Sequence, residues 1–127
     1  MDLAPLLLRL VVGAIFLAHG WQKYVGGLEG VEAFLAGMNF PAPALLAFLL
    51  VVAEIGGGIL LILGAYTHWV AKILAVVAVV ALVSVHLPNG FTGPGGYEFI
   101  LLILVSCISL ILTGAGKWSV DARMKRK

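Results

Sequence analysis

The sequence predicts an all-α protein, a four-helix bundle that spans a membrane. Three observations carry that expectation. The chain of 127 residues is 62% hydrophobic and only 11% charged, against roughly 45–50% apolar and about 25% charged in soluble domains. Its mean hydropathy is +1.14. A soluble chain of this size leaves much of its surface in water, and here that surface would be Leu, Val and Ile. The apolar residues also fall in four long runs. They lack the polar faces of soluble amphipathic helices and the short alternating strands of a barrel.

A spanning helix needs about 20 mainly apolar residues, and the runs cover residues 3–24, 42–63, 69–87 and 97–113, the last at the short end of the range. The first has no basic cluster ahead of it and outlasts the ~7–15 apolar residues of a leader, so it is expected to be a retained helix. The breaker "NFPAP" precedes the second run. Before that breaker, "LEGVEAFLAGM" sets Leu28, Val31, Phe34 and Leu35 at helical spacing, with Glu29 and Glu32 elsewhere on the turn. That pattern fits a short helix lying at the interface in the first outer loop. "GAYTH" makes a tight connection, and the Gly- and Pro-rich "PNGFTGPGG" must be irregular. No linker divides the chain, so residues 1–127 are read as one domain ending in a basic tail over 114–127.

Charge sets the orientation and narrows the partners. Lys117, Arg123, Lys125, Arg126 and Lys127 all follow the last run, which places the C-terminus, and with four spans the N-terminus, on the cytoplasmic side. Lys23 dissents, near the outer end of the first helix. A formal net charge of +2 gives no ground for nucleic-acid binding, so the expected partners are membrane lipids, with a homo-oligomer left open. Cys107 stands alone, without a disulfide framework or a redox pair.

Ionisable residues at membrane depth are costly and need partners. On the first helix Arg9, Gly13, Phe16, Gly20 and Lys23 fall close to one line, and Glu54 heads the glycine-rich "EIGGGILL". Arg9 and Glu54 are expected to face each other as a structural ion pair; alternatively, Glu54 carries protons or ligand. Toward the outer face the order of helices brings His19, Lys23, His86 and Glu98 to one level, with Trp21, Tyr24, Phe91 and Tyr97. An aromatic belt with a snorkelling Lys explains this grouping. So does a shallow pocket of Lys23, Trp21, Phe91 and Tyr97 around His19, His86 and Glu98. A quinone head suits such a pocket: it stacks on aromatics, its carbonyls accept hydrogen bonds, and its reduction takes up protons that His or Glu can relay. The catalytic candidates are then His19, His86, Glu98 and Glu54. No ligand spacing argues for a metal or haem.

The order of these features resembles the DoxX family of small four-helix bacterial membrane proteins. Arg9, Gly13, His19-Gly20 and Lys23 in "RLVVGAIFLAHGWQK" are similar to its opening helix. The small-Pro turn, Glu54 and Gly64 resemble its second block, and His86 falls where its third helix commonly ends. Gly114, Gly116, Ser119, Val120 and Asp121 in "GAGKWSVDARM" resemble its closing signature. The resemblance implies a plasma-membrane oxidoreductase component, quinone-linked and working with a redox partner subunit, and brings no agreed catalytic set. A small proton-coupled transporter using Glu54 and a purely structural membrane subunit remain the alternatives. The closing motif has a physical role of its own: Gly114 and Gly116 stop the last helix, and Ser119 and Asp121 cap or pair near the surface.

Overall fold

A computed structural model describes residues 3–125. Met1 and Asp2, and Arg126 and Lys127 of the basic tail, lie outside the described residues. The elements are α1 (Leu3–Gly26), α2 (Leu28–Gly37), α3 (Pro43–Leu63), α4 (Thr67–Ala81), α5 (Glu98–Thr113) and α6 (Val120–Lys125). α4 runs on through a π-helical turn, Leu82–His86, and a 3₁₀ turn, Leu87–Asn89. Among the described residues there is no strand. Leu3–Gly26, Pro43–Leu63 and Thr67–Asn89 are long and apolar enough to cross a membrane, while α5 is a shorter apolar helix. Its 16 residues reach about 24 Å at 1.5 Å per residue, somewhat less than the ~30 Å of a bilayer's hydrocarbon core.

Helices lie where the four apolar runs fell, with small shifts at their ends, although α5 falls short of a full span by length; the short helix expected in the first loop is α2. α3 starts at Pro43, suited to a first helical turn because its missing N–H has no helical partner there. It stops at Gly64, whose φ of 73° is left-handed. α4 begins two residues earlier than the sequence suggested, at Thr67, because a carboxylate from another element caps it, as described below.

α1 and α3 form one antiparallel pair and α4 and α5 a second. Glycine allows the first pair to touch backbone to backbone: a Cβ on Gly58 would lie 2.6 Å from the Gly13 carbonyl oxygen and 2.8 Å from the Leu17 nitrogen. Further along the same seam Gly20 faces Glu54 and Ile55. One end of the bundle holds the start of α1, the α3–α4 turn and α6; we call it the terminal end. The opposite, loop end carries α2 and the connection from Leu87 to Tyr97.

The core sits toward the terminal end. Val12, Phe16, Leu61, Leu74, Cys107 and Leu110 pack there, ringed by exposed Leu7, Val11, Val52, Val76 and Leu112 that face lipid. On α4 burial stops at Ala78 and on α5 it begins at Ile103; no residue from 79 to 102 is buried. α1 and α3 stay buried further toward the loop end, at Gly20, Glu54, Val51 and Ala47. The two helix pairs therefore pack most densely at the terminal end, and at the loop end the continuation of α4 and the start of α5 are at most half-buried.

Candidate functional site

Two polar centres are built into the bundle, one at each end. Toward the loop end, Lys23 Nζ lies 3.0 Å from Glu54 Oε1 and 2.9 Å from Oε2. The Glu54 side chain is 7% exposed and that of Lys23 30%, so the carboxylate is sealed and the ammonium keeps one open side. Gly20 sets this geometry. Its missing side chain lets α3 approach until a Cβ there would stand 2.9 Å from Glu54 Cβ, and Lys23, one turn further along α1, reaches back to the carboxylate.

The ion pair expected between Arg9 and Glu54 does not form. With Gly20 level with Glu54, Arg9 lies eleven residues nearer the terminal end, about 16 Å along the axis at 1.5 Å per residue. That is beyond an extended Arg side chain. Arg9 is fully buried instead against the α3–α4 turn, where its Nη2 donates to the Trp118 carbonyl at 2.6 Å and Asp121 is the nearby opposite charge. Its Nε and Nη1 have no hydrogen-bond partner. Gly64 is obligatory beside it, since a Cβ there would overlap Arg9 Nη1.

The second centre ties residues 114–125 across the terminal end. Asp121 Oδ1 accepts from the Tyr66 N–H at 2.7 Å and Oδ2 from the Thr67 N–H at 2.9 Å, and the Asp121 N–H donates to the Gly64 carbonyl at 2.9 Å. Asp121 thus caps α4 from 54 residues away in sequence, satisfying N–H groups that a helix start leaves free. Ser119 Oγ accepts from the Ala122 N–H at 3.1 Å at the start of α6. The sequence assigned Ser119 and Asp121 to capping; it did not show that the helix capped is α4. The one available signal is that "GAY", before Thr67, offers no capping side chain of its own.

The remaining candidates are scattered around the loop end. His86 is half-buried, its Nδ1 3.0 Å from the Gly95 carbonyl, to which Asn89 Nδ2 also donates at 3.0 Å. Phe91 and Tyr97 pack edge to face with centroids 5.1 Å apart. Trp21 and Tyr24 are both exposed, their rings 5.7 Å apart. His19 is exposed on α1, and Glu98 is exposed in the first turn of α5, a favourable place for an acid. Among the described residues no hydrogen bond or ion pair joins His19, His86, Glu98 and Lys23 to one another. The structure pairs Lys23 with Glu54, and Phe91 with Tyr97, while among the described residues His19, His86 and Glu98, three of the four catalytic candidates, form no group close enough to share a metal ion. Two shallow, open pockets, of about 370 and 380 Å³, are formed by the described residues, and neither is lined by those three residues.

The sequence model of the family described as DoxX matches residues 4–87, which hold α1 to α4, both members of the Lys23–Glu54 pair, and Arg9. The chain belongs to the DoxX family. It is 31% identical to "Putative oxidoreductase CatD" of Bacillus subtilis over 94% of this chain and 86% of that protein. It is 32% identical to the "Uncharacterized membrane protein Rv3486" of Mycobacterium tuberculosis over 94% and 80%. With the "Inner membrane protein YphA" of Escherichia coli it shares 29% over 93% and 88%. No solved structure matches the chain. As a DoxX protein it is a helical membrane protein, and the relatives in Escherichia coli are inner-membrane proteins.

Proposed function

We propose that this DoxX protein is the membrane-embedded component of a quinone-linked oxidoreductase, working with a partner redox protein. The observation that carries the proposal is the Lys23–Glu54 pair, set at the level where the core gives way to the less buried loop end. Glu54 fixes the ammonium and balances its charge in a setting where a lone charge is costly. The open side of Lys23 offers N–H donors to a carbonyl oxygen, the acceptor a quinone head presents. His86, half-buried nearer the loop surface, has a side chain suited to proton relay. Orientation follows the charge: Lys72, Lys117, Arg123 and Lys125 lie toward the terminal end and Glu29, Glu32 and Glu98 toward the loop end, so both termini are assigned to the cytoplasm of a bacterial plasma membrane.

Proton-coupled transport through Glu54 fits less well, because the carboxylate already has a fixed counter-ion. The word oxidoreductase in the name of the Bacillus subtilis relative agrees with a redox role, and the other names give no activity. The test is binding of a short-chain quinone analogue to purified protein. Lys23→Ala should weaken it about tenfold or more, the cost of a hydrogen bond from a charged donor, and exposed His19→Ala should leave it unchanged. Equal binding by wild type, Lys23→Ala and Glu54→Gln would remove the site.

A further inference from the structure

We propose that the cavity at the terminal end binds the headgroup of an anionic phospholipid. It holds about 370 Å³ between the start of α4, the end of α5 and α6, within the ~300–1,000 Å³ of small-molecule sites. His68 and Trp69 of α4 and Lys125 of α6 line it. Lys72 adds a third basic group: its Nζ stands 4.8 Å over the Trp69 ring, which holds the ammonium beside the same wall. Asp121 also lines the cavity, but both its oxygens already accept backbone N–H groups of α4. Its negative charge is set against the nearby buried Arg9 guanidinium, which leaves Lys125 and Lys72 as the charges that can meet a ligand.

The setting selects a lipid rather than a soluble anion. Tyr66 and Trp69 in the cavity wall, and Trp118 nearby, are 60%, 65% and 60% exposed, and Trp and Tyr collect at the level of lipid headgroups. Ile73 and Val76 follow Trp69 at helical spacing and are exposed on the same face of α4. They offer a path for acyl chains leading away from the cavity into the bilayer. The phosphate would meet Lys125, His68 and Lys72, and the chains would run along that face, as in basic pockets between helices that hold anionic lipids.

Native mass spectrometry on protein released from vesicles of phosphatidylglycerol or of phosphatidylcholine tests this. One phosphatidylglycerol should stay on each chain, and phosphatidylcholine should be retained at least about fivefold less. Lys125→Gln, and His68→Gln combined with Lys72→Gln, should each lower phosphatidylglycerol retention by about fivefold. Arg123→Gln changes an exposed α6 residue outside the cavity lining and should leave retention unchanged. Equal retention of the two lipids, or an equal loss in Arg123→Gln, would reduce the effect to diffuse attraction and overturn the site. Displacement of the lipid by inorganic phosphate alone would make it a phosphate site and overturn the lipid assignment.

Discussion

Lys23 and Arg9 are both basic residues carried on the inner line of α1, and the bundle satisfies them by different means. Lys23 has a carboxylate that accepts from it with both oxygens, whereas Arg9 has a carbonyl and a neighbouring acid already engaged elsewhere. Removing one member of a buried pair leaves the other uncompensated, at a typical cost of about 3–5 kcal/mol. Because Lys23 keeps an open side and can turn toward the loop end, Glu54→Leu should sit near the low end, about 3 kcal/mol. Lys23→Met combined with Glu54→Leu should regain most of that loss, read as thermal unfolding in detergent. A double variant as unstable as Glu54→Leu alone would show that the pair's worth lies in packing and not in charge. The polar line itself was legible: Arg9, Gly13, Phe16 and Gly20 are all buried. Which basic residue meets Glu54 was not, because that depends on the axial register of α1 against α3. The connection between them contains α2, so its length does not fix that register.

Several helix boundaries were legible because they are marked chemically, by Pro43, Gly64 and Gly114. The cap on α4 was not, since its donor and acceptor are 54 residues apart and only the folded chain joins them. Asp121→Ala should therefore cost about 0.5–2 kcal/mol, the range for losing an N-cap, and should loosen residues 114–125 together with the start of α4; amide exchange at Tyr66 and Thr67 would report it. The glycines of α3 separate packing from propensity in a similar way. At Gly58 a methyl group would press on the backbone of α1, whereas at Gly56 it would meet nothing within 4 Å. Gly58→Ala should destabilise by about 1–3 kcal/mol through overpacking. Gly56→Ala should stabilise by up to about 1 kcal/mol through helix propensity alone. Equal melting shifts in the two variants would contradict the α1–α3 seam.

As a whole, the molecule is two helix pairs joined at one end, and its membership of the DoxX family and its membrane character could be read from motif order and hydropathy. The uneven depth of burial could not. Composition stays apolar from Leu74 to Val83, yet burial stops at Ala78, because less of the partner helices covers this stretch and not because the residues change there. An interior face left partly uncovered in a membrane protein is met by lipid or by water. The Lys23 ammonium, with its one open side, favours water at the loop end. Cysteine chemistry distinguishes the two, since a maleimide reacts with a thiolate in water and not with a thiol in hydrocarbon. Cys107 is fully buried and should stay unlabelled by a membrane-impermeant maleimide, which makes the native chain its own control. Ala81→Cys, half-buried one turn beyond Ala78, should label in intact cells, and Leu74→Cys, buried in the core, should not. Labelling of Ala81→Cys only after permeabilisation would invert the orientation, and no labelling in either state would mean that lipid or a second chain closes the loop end.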